Sequence, residues 1–198
     1  MKRICVFCGS SPGSRPEYLQ AAQQLGQLLA QRHIGLVYGG GKVGLMGTLA
    51  SAAVEAGGEV IGVVPKALVA KEVAFTELND LRVVESMHER KALMAELANG
   101  FIALPGGLGT IEEFFEALTW AQLGLHHKPC GLLNVEQYYT RLLHFIDHTV
   151  AERFVEPECR SLILIDDDPA NLLQQFERYQ PPVIDKAARA LLLTQLLR

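Results

Sequence analysis

A chain of 198 residues, 49% of them hydrophobic and with a mean hydropathy of +0.16, can bury one sizeable core and fits a single domain over residues 1–198 better than two. A net charge of −4 with no run of Lys or Arg speaks against nucleic acid or an anionic membrane as a partner. No stretch reaches transmembrane length, and Met1-Lys2-Arg3-Ile4-Cys5 leads into a strand-like run rather than a signal-peptide core, so a cytoplasmic protein is expected.

Residues 3 to 8 read as a buried strand, followed by the turn Gly9-Ser10-Ser11-Pro12-Gly13-Ser14 and a helix over residues 16 to 32 with Leu25, Leu28 and Leu29 on its apolar side. Residues 34 to 38 form the second strand. The glycine-rich run Gly39-Gly40-Gly41-Lys42-Val43-Gly44 then opens a helix of small residues that ends at Gly57-Gly58. A third strand covers residues 59 to 64, a loop or irregular helix containing Lys71-Glu72 covers residues 66 to 80, and a fourth strand covers residues 81 to 85.

Ser86-Met87-His88-Glu89 is a capping box that starts a helix running to about residue 99. A short apolar strand over residues 101 to 104 leads into a long helix ending near Gly124, which buries Ile111, Phe114, Phe115, Leu118 and Ala121. A sixth strand spans residues 129 to 134, a helix 138 to 151, a seventh strand 162 to 165, a helix 169 to 179, and a last apolar helix 187 to 197. Strands alternating with helices predict a Rossmann-like α/β fold: a doubly wound, mainly parallel sheet with helices on both faces. Its three glycine loops would lie at the carboxyl edge, where such folds bind ligands.

Cys5 and Cys8 make a C-x-x-C, but three residues apart on a strand they point to opposite faces, so buried free thiols are expected rather than a metal or disulfide site. His144 and His148 have metal-ligand spacing on a helix, yet the residues between them do not complete a metalloprotease pattern. The run 39 to 44 matches G-x-G-x-x-G, but it follows the second strand instead of the first. No acidic residue ends the next strand to bind a ribose, and Lys42 lacks the Ser or Thr of a P-loop. It reads as a close-approach glycine loop.

The stretch Leu104-Pro105-Gly106-Gly107-Leu108-Gly109-Thr110-Ile111-Glu112-Glu113 carries the strongest signal. A strand, a glycine turn and a helix in sequence aim free backbone N–H groups and the positive end of a helix dipole at one point, which is an anion cradle. Thr110-x-x-Glu113 is also a capping box, with Thr110 as N-cap and Glu113 reaching back to it. A cap alone does not account for Pro105 and three glycines.

Arg90 and Lys91 sit early in their helix, where the dipole disfavours cations, and neither has an acidic residue three or four positions away. Arg90 also falls within the apolar stripe of Met87, Leu93, Met94 and Leu97, which points it into a cleft, where its planar fork suits phosphate or carboxylate. The alternative is a stem that snorkels along the surface. Trp120 and Leu123 lie off the core stripe of their helix, a placement that suits the core of a homodimer interface.

Met87-His88-Glu89-Arg90-Lys91, the nonapeptide from Pro105 to Glu113, Thr119-Trp120-Ala121-Gln122-Leu123-Gly124 and Gly131-Leu132-Leu133-Asn134 together resemble the Lonely Guy (LOG) family over nearly the whole chain. The resemblance implies a Rossmann-like fold, usually dimeric, that hydrolyses the N-glycosidic bond of cytokinin riboside 5′-monophosphates and often of AMP. The products are free base and ribose 5-phosphate, with no cofactor and no metal. Its catalytic pair falls on Arg90 and Glu113, and its substrate contacts on Glu72, Lys91, Gly106, Gly107, Leu108, Gly109, Thr110, Ile111, Glu112 and Thr119. Leu108 stands where many family members carry an aromatic. In this chemistry Glu113 would stabilise an oxocarbenium-like ribose and polarise the attacking water, while Arg90 orients phosphate or ribose. Family members were long labelled lysine decarboxylases, yet nothing in the chain marks a lysine as a Schiff-base site. A non-catalytic nucleotide or cofactor carrier on the same scaffold is the alternative, since it needs the glycine loops but not Arg90 with Glu113.

Overall fold

A computed structural model of the chain describes residues 1–69 and 74–182. Glu72 and the helix expected over residues 187 to 197 lie outside the described residues. In chain order the elements are β1 (Arg3–Phe7), α1 (Pro16–Gln31), β2 (Gly35–Tyr38), α2 (Gly44–Glu55), β3 (Val60–Pro65), α3 (Lys66–Val69), β4 (Asp80–Val84) and α4 (Met87–Leu97). They continue with β5 (Phe101–Ala103), α5 (Leu108–Gln122), β6 (Cys130–Leu133), α6 (Thr140–Ala151), α7 (Pro157–Arg160), β7 (Ile163–Asp166) and α8 (Pro169–Arg178).

The seven strands form one sheet in the order β4-β3-β2-β1-β5-β6-β7, and every strand pair is parallel. The expected doubly wound sheet is therefore present, and each strand ends within one residue of its predicted bounds. Strands β1, β2, β3, β5 and β6 are buried almost throughout while the edge strands β4 and β7 are half-covered, as a parallel sheet sandwiched between helices requires.

Alternation along β1 divides the core. Ile4, Val6 and Cys8 pack with Leu25 and Leu29 of α1, Leu49 of α2 and Leu172 of α8. Cys5 and Phe7 pack on the other face with Met94 of α4, Phe114 of α5 and Leu143 of α6. The C-x-x-C thiols thus face opposite layers, and both are buried. His144 and His148 are exposed on α6, and among the described residues no group of three His, Cys, Asp or Glu could hold a metal ion. No helix among the described residues is long and apolar enough to cross a membrane.

Helix α7 (Pro157–Arg160) is not among the expected elements, and two further stretches differ from expectation. A 3-10 turn over Val135–Gln137 delays α6, because Glu136 and Gln137 adopt positive φ (50° and 57°) that no helix continues. Helix α5 starts at Leu108 with Gly107 as N-cap, three residues before the predicted Thr110 cap. The apolar stripe of α5 is accordingly Phe114, Ala117 and Ala121 below a buried Thr110, with Ile111, Phe115 and Leu118 only partly buried.

Candidate active site

Strand order reverses between β1 and β5, so the loops leaving these neighbours diverge and open a crevice at their carboxyl ends. Those loops are tied together at their roots: the N–H of Leu104 donates to Phe7 O at 2.9 Å and that of Gly9 to Pro105 O at 3.0 Å. Tyr139 Oη donates to Leu104 O and Tyr138 Oη to Gly106 O, each at 2.6 Å. The glycine turn after β5 is held from both sides before any ligand arrives.

Of the two helices that follow the glycine runs 39 to 44 and 106 to 109, the second presents a free N-terminus and the first does not. In α2 the N–H groups of Leu45 and Met46 donate to Gly9 O at 3.1 and 3.4 Å. Gly44, at φ +63°, lies so close to the Ser10 backbone that a Cβ would collide with it. The run 39 to 44 therefore locks α2 onto the β1 loop, as a close-approach loop should. Helix α5, by contrast, has no side-chain cap at Gly107. The N–H groups of Leu108, Gly109 and Thr110 have no carbonyl in the helix to pair with, and Cβ atoms built on Gly107 and Gly109 would meet nothing within 4 Å. Leu108 is 87% exposed beside them. On the α1 side of this turn a cleft of about 260 Å³ is lined by Ser10, Ser11, Tyr18, Gly106, Gly107 and Tyr138.

With Gly107 as N-cap, Glu113 lies beyond the first turn of α5 and cannot close a capping box with Thr110. Its carboxylate turns to α4 instead. Nη1 of Arg90 donates to Glu113 Oε1 at 2.7 Å, with the two side chains only 11% and 13% exposed. Nε of Arg90 donates to Val63 O at 3.1 Å, and Nη1 also lies 3.3 Å from Met87 Sδ. Burial pushes the Glu113 carboxyl above its ordinary value, against the opposing pull of the Arg90 charge.

The Arg90 cation that lacked a local partner in the sequence is thus held across α4 and α5, and the same is true of its neighbour. Nζ of Lys91 donates to Glu112 Oε1 at 2.6 Å and to Glu116 Oε1 at 3.0 Å. The Lys91 pKa is raised, foremost by its bond to Glu112. The capping box at α4 is half as predicted: Ser86 Oγ accepts from Glu89 N at 3.2 Å, but Glu89 Oε2 accepts from Glu85 N at 2.9 Å rather than from Ser86.

The structure therefore brings Arg90, Lys91, Glu112 and Glu113 together one to two turns along α5 from Gly106, Gly107, Leu108, Gly109 and Thr110. Ile111 is half-buried between them. Thr119 lies apart. Its Oγ1 donates to Phe115 O at 2.7 Å, and it lines an apolar groove of about 330 Å³ with Phe115, Leu118, Leu142, Phe145 and Ile146. Glu116, Val63 and Tyr138 were not anticipated. Glu116 could have been found from its four-residue spacing to Glu112, but a backbone carbonyl and a distant hydroxyl leave no such signal.

An uncapped helix N-terminus with a buried carboxylate of raised pKa, paired to a guanidinium between one and two turns further on, can hold an anion while presenting a base to a group attached to it. The comparisons with known proteins agree in chemistry with this geometry. Residues 46–176 match the family described as "Possible lysine decarboxylase". The chain is 53% identical over 187 residues to "Probable cytokinin riboside 5'-monophosphate phosphoribohydrolase LOGL5" of Oryza sativa subsp. japonica, covering 94% of this chain and 76% of that protein. It is 52% identical over 180 residues to cytokinin riboside 5'-monophosphate phosphoribohydrolase LOG7 of Arabidopsis thaliana, covering 91% and 83%. Among solved structures, the molybdenum cofactor carrier protein MCP from Chlamydomonas reinhardtii superposes with a TM-score of 0.69 at 24% identity, over 90% of this chain and 99% of that one. At that identity the likeness concerns the fold alone.

Proposed function

The chain belongs to the Lonely Guy (LOG) family, the one described as possible lysine decarboxylase, and from that premise we propose that it hydrolyses the N-glycosidic bond of adenosine 5′-monophosphates, N6-modified ones included, releasing free base and ribose 5-phosphate. The observation that carries the reading is the buried Arg90–Glu113 pair beside the open N-terminus of α5. Glu113 lies six residues past Gly107, about 9 Å along the helix axis, which is the scale of a sugar phosphate. A 5′-phosphate bound by the backbone of Gly106 to Thr110 would set C1′ of the ribose against the carboxylate.

In this reading Glu113 polarises a water that adds to C1′ while the bond to the base breaks. The bonding electrons leave with the base, the water's proton is passed on to it, and the same carboxylate stabilises the oxocarbenium-like sugar in between. Arg90 opposes the burial-driven rise of the Glu113 pKa and orients the ribose. Lys91, Ile111 and Glu112 flank the substrate, Thr119 joins them from outside this cluster, and Glu72 completes the set of contacts. Schiff-base chemistry has no support here. Lys91 is held protonated by two carboxylates, whereas such a lysine needs a lowered pKa. Lys128, whose pKa burial does lower, precedes β6 at the opposite edge of the sheet.

The protein would work as a homodimer of single-domain chains. The reading rests on the apolar groove between α5 and α6, with Phe145 exposed in its lining, and on the large exposed side chains Leu123, Leu125 and Phe154 in the segments that follow these two helices. A cytoplasmic location suits the reduced thiols Cys5, Cys8 and Cys130. Chromatography after incubation with AMP and with an N6-prenylated AMP tests the activity: equal amounts of free base and ribose 5-phosphate are expected, and binding without base release would make the protein a carrier.

A further inference from the structure

Gly39, the first residue of the G-x-G-x-x-G run, packs against the active-site arginine. A Cβ built on it would fall onto Nη2 of Arg90 and stand 3.2 Å from Cζ. Gly39 O lies 3.5 Å from the same Nη2. Unlike Gly40 and Gly44, Gly39 does not adopt a positive φ, so no backbone conformation demands glycine here. Other than the guanidinium, its nearest neighbour is Met46 Sδ at 3.3 Å, a flexible group able to give by a few tenths of an ångström. What excludes a side chain at position 39 is therefore the guanidinium itself.

We propose that Gly39 is a positioning residue for the hydrolytic reaction: by lacking a side chain it forms, with the Val63 carbonyl, the seat that holds the Arg90 guanidinium against Glu113. The seat works by fit. Val63 O fixes Nε, and the bare Cα of Gly39 leaves room for Nη2 just past the end of β2, with Nη1 donating to the carboxylate. A methyl group there meets the far end of a flexible side chain, so the arginine swings aside while the sheet and the helices stay in place. The run 39 to 44 then has two duties, with Gly44 locking α2 to the β1 loop and Gly39 seating the arginine.

This inference rests on the hydrolase reading for its kinetic test, and a crystal structure supplies a test independent of it. Gly39→Ala is expected to fold with a melting temperature lowered by the broken ion pair and to lose about 10²-fold in kcat, the usual cost of an ångström of misplacement at a reacting centre. KM for AMP should stay near wild type, because the phosphate is held by α5 and not by Arg90. Gly41→Ala is the control. The three atoms nearest its Cβ would all belong to Met46, with Cε at 2.8 Å and Sδ at 3.3 Å, so it perturbs the same loop through Met46 rather than through the arginine and should retain kcat. In an Arg90→Ala background Gly39→Ala should cost nothing further, since the group it displaces is gone. Equal losses for the two glycine variants, or a full additional loss in the Arg90→Ala background, would overturn the proposal.

Should Gly39→Ala fail to fold, the double variant Gly39→Ala/Arg90→Ala decides: recovery of the melt of Arg90→Ala supports the clash with the guanidinium, and no recovery overturns it. Wild-type protein that releases no base removes the hydrolase reading alone. The crystal structure of Gly39→Ala then decides the placement, with a broken Arg90–Glu113 pair supporting it and an unmoved guanidinium overturning it.

Discussion

Nη1 of Arg90 lies 2.7 Å from Oε1 of Glu113, and the pair joins two helices that enter and leave the same strand, β5. Both charges are nearly out of solvent, with 11% and 13% of the side chains exposed. A buried ion pair of this kind contributes little net stability, because desolvation offsets most of the attraction. Its place between one and two turns from an uncapped helix N-terminus makes it useful in another way: the arginine opposes the rise that burial gives the Glu113 carboxyl.

Replacing Glu113 separates the catalytic role from a structural one. Glu113→Gln keeps an oxygen that can accept from Arg90, so its melting temperature should stay within a few degrees of wild type while turnover falls by about 10²- to 10⁴-fold, the usual worth of a general base. Glu113→Ala leaves the guanidinium buried without a carboxylate and should cost about 3 kcal/mol. Calorimetry and base-release assays on both variants check this. Near-normal turnover of the glutamine variant would reduce Glu113 to a structural partner of Arg90.

The raised pKa of Glu113, caused first by burial, gives two pH signatures of fixed sign. Activity needs the carboxylate, so kcat/KM should fall on the acid side with a midpoint above the ordinary carboxylate range. The protonated form is favoured by the fold, so the stabilising contribution of this group is present at low pH and is lost as pH rises through the folded value. The melting temperature of wild type relative to Glu113→Gln should therefore rise as pH is lowered from neutral into the carboxylate range. An opposite trend would mean that Arg90 outweighs burial.

Much of this site can be read in the sequence, and the remainder depends on contacts that no local pattern encodes. The strands show as apolar runs because a parallel sheet covered on both faces needs them. Arg90 stood out as a cation within an apolar stripe lacking a local acid, and such a residue must find its partner elsewhere in the fold. The start of α5 differs from the expected one because Thr110-x-x-Glu113 has the spacing of a cap, while the actual N-cap, Gly107, has no side chain to announce itself. The partner of Arg90 lies 23 residues away and the hydroxyl that pins Gly106 comes from 32 residues away. Packing of α4 and α5 around β5 decides the first of these pairings, and the 3-10 turn before α6 decides the second.

The glycines differ in what they support. Gly44 and Gly57 both have positive φ (+63° and +77°), but a Cβ on Gly44 collides with the Ser10 backbone whereas one on Gly57 meets nothing within 4 Å. Gly57→Ala should cost about 1 kcal/mol, the strain of a left-handed alanine. Gly44→Ala adds a backbone clash and should cost at least about 3 kcal/mol, because the loops after β1 and β2 must separate. Denaturant titration of the two variants compares them directly. Equal losses would mean that the contact between the α2 N-terminus and Ser10 is not tight in solution.

For the proposed dimer, light scattering should give twice the chain mass of 21.7 kDa. Phe145, 62% exposed on α6 and lining the apolar groove, is the side chain to change. Phe145→Asp should shift the protein to monomer with little effect on the fold of each chain, since an exposed aromatic at an interface core contributes to association rather than to the monomer's packing. A wild-type monomer at micromolar concentration would remove the dimer.

The 5′-phosphate should be required. The N–H groups of Leu108, Gly109 and Thr110 at the α5 N-terminus have no capping side chain, and Gly107 and Gly109 leave the approach to them clear. A nucleoside lacking phosphate would desolvate those donors without replacing the water they lose, and sites built around a polar partner reject the analogue that lacks it by about 10⁴-fold. Adenosine should thus be a very poor substrate beside AMP. ATP should fail as well, because the turn presents one helix N-terminus, and Lys91 is already engaged by Glu112 and Glu116. A chromatographic comparison of AMP, an N6-prenylated AMP, adenosine and ATP, following free base and ribose 5-phosphate, makes the test. Comparable rates for adenosine and AMP would sink the anion cradle at α5, and release of inorganic phosphate in place of base would make the protein a nucleotidase.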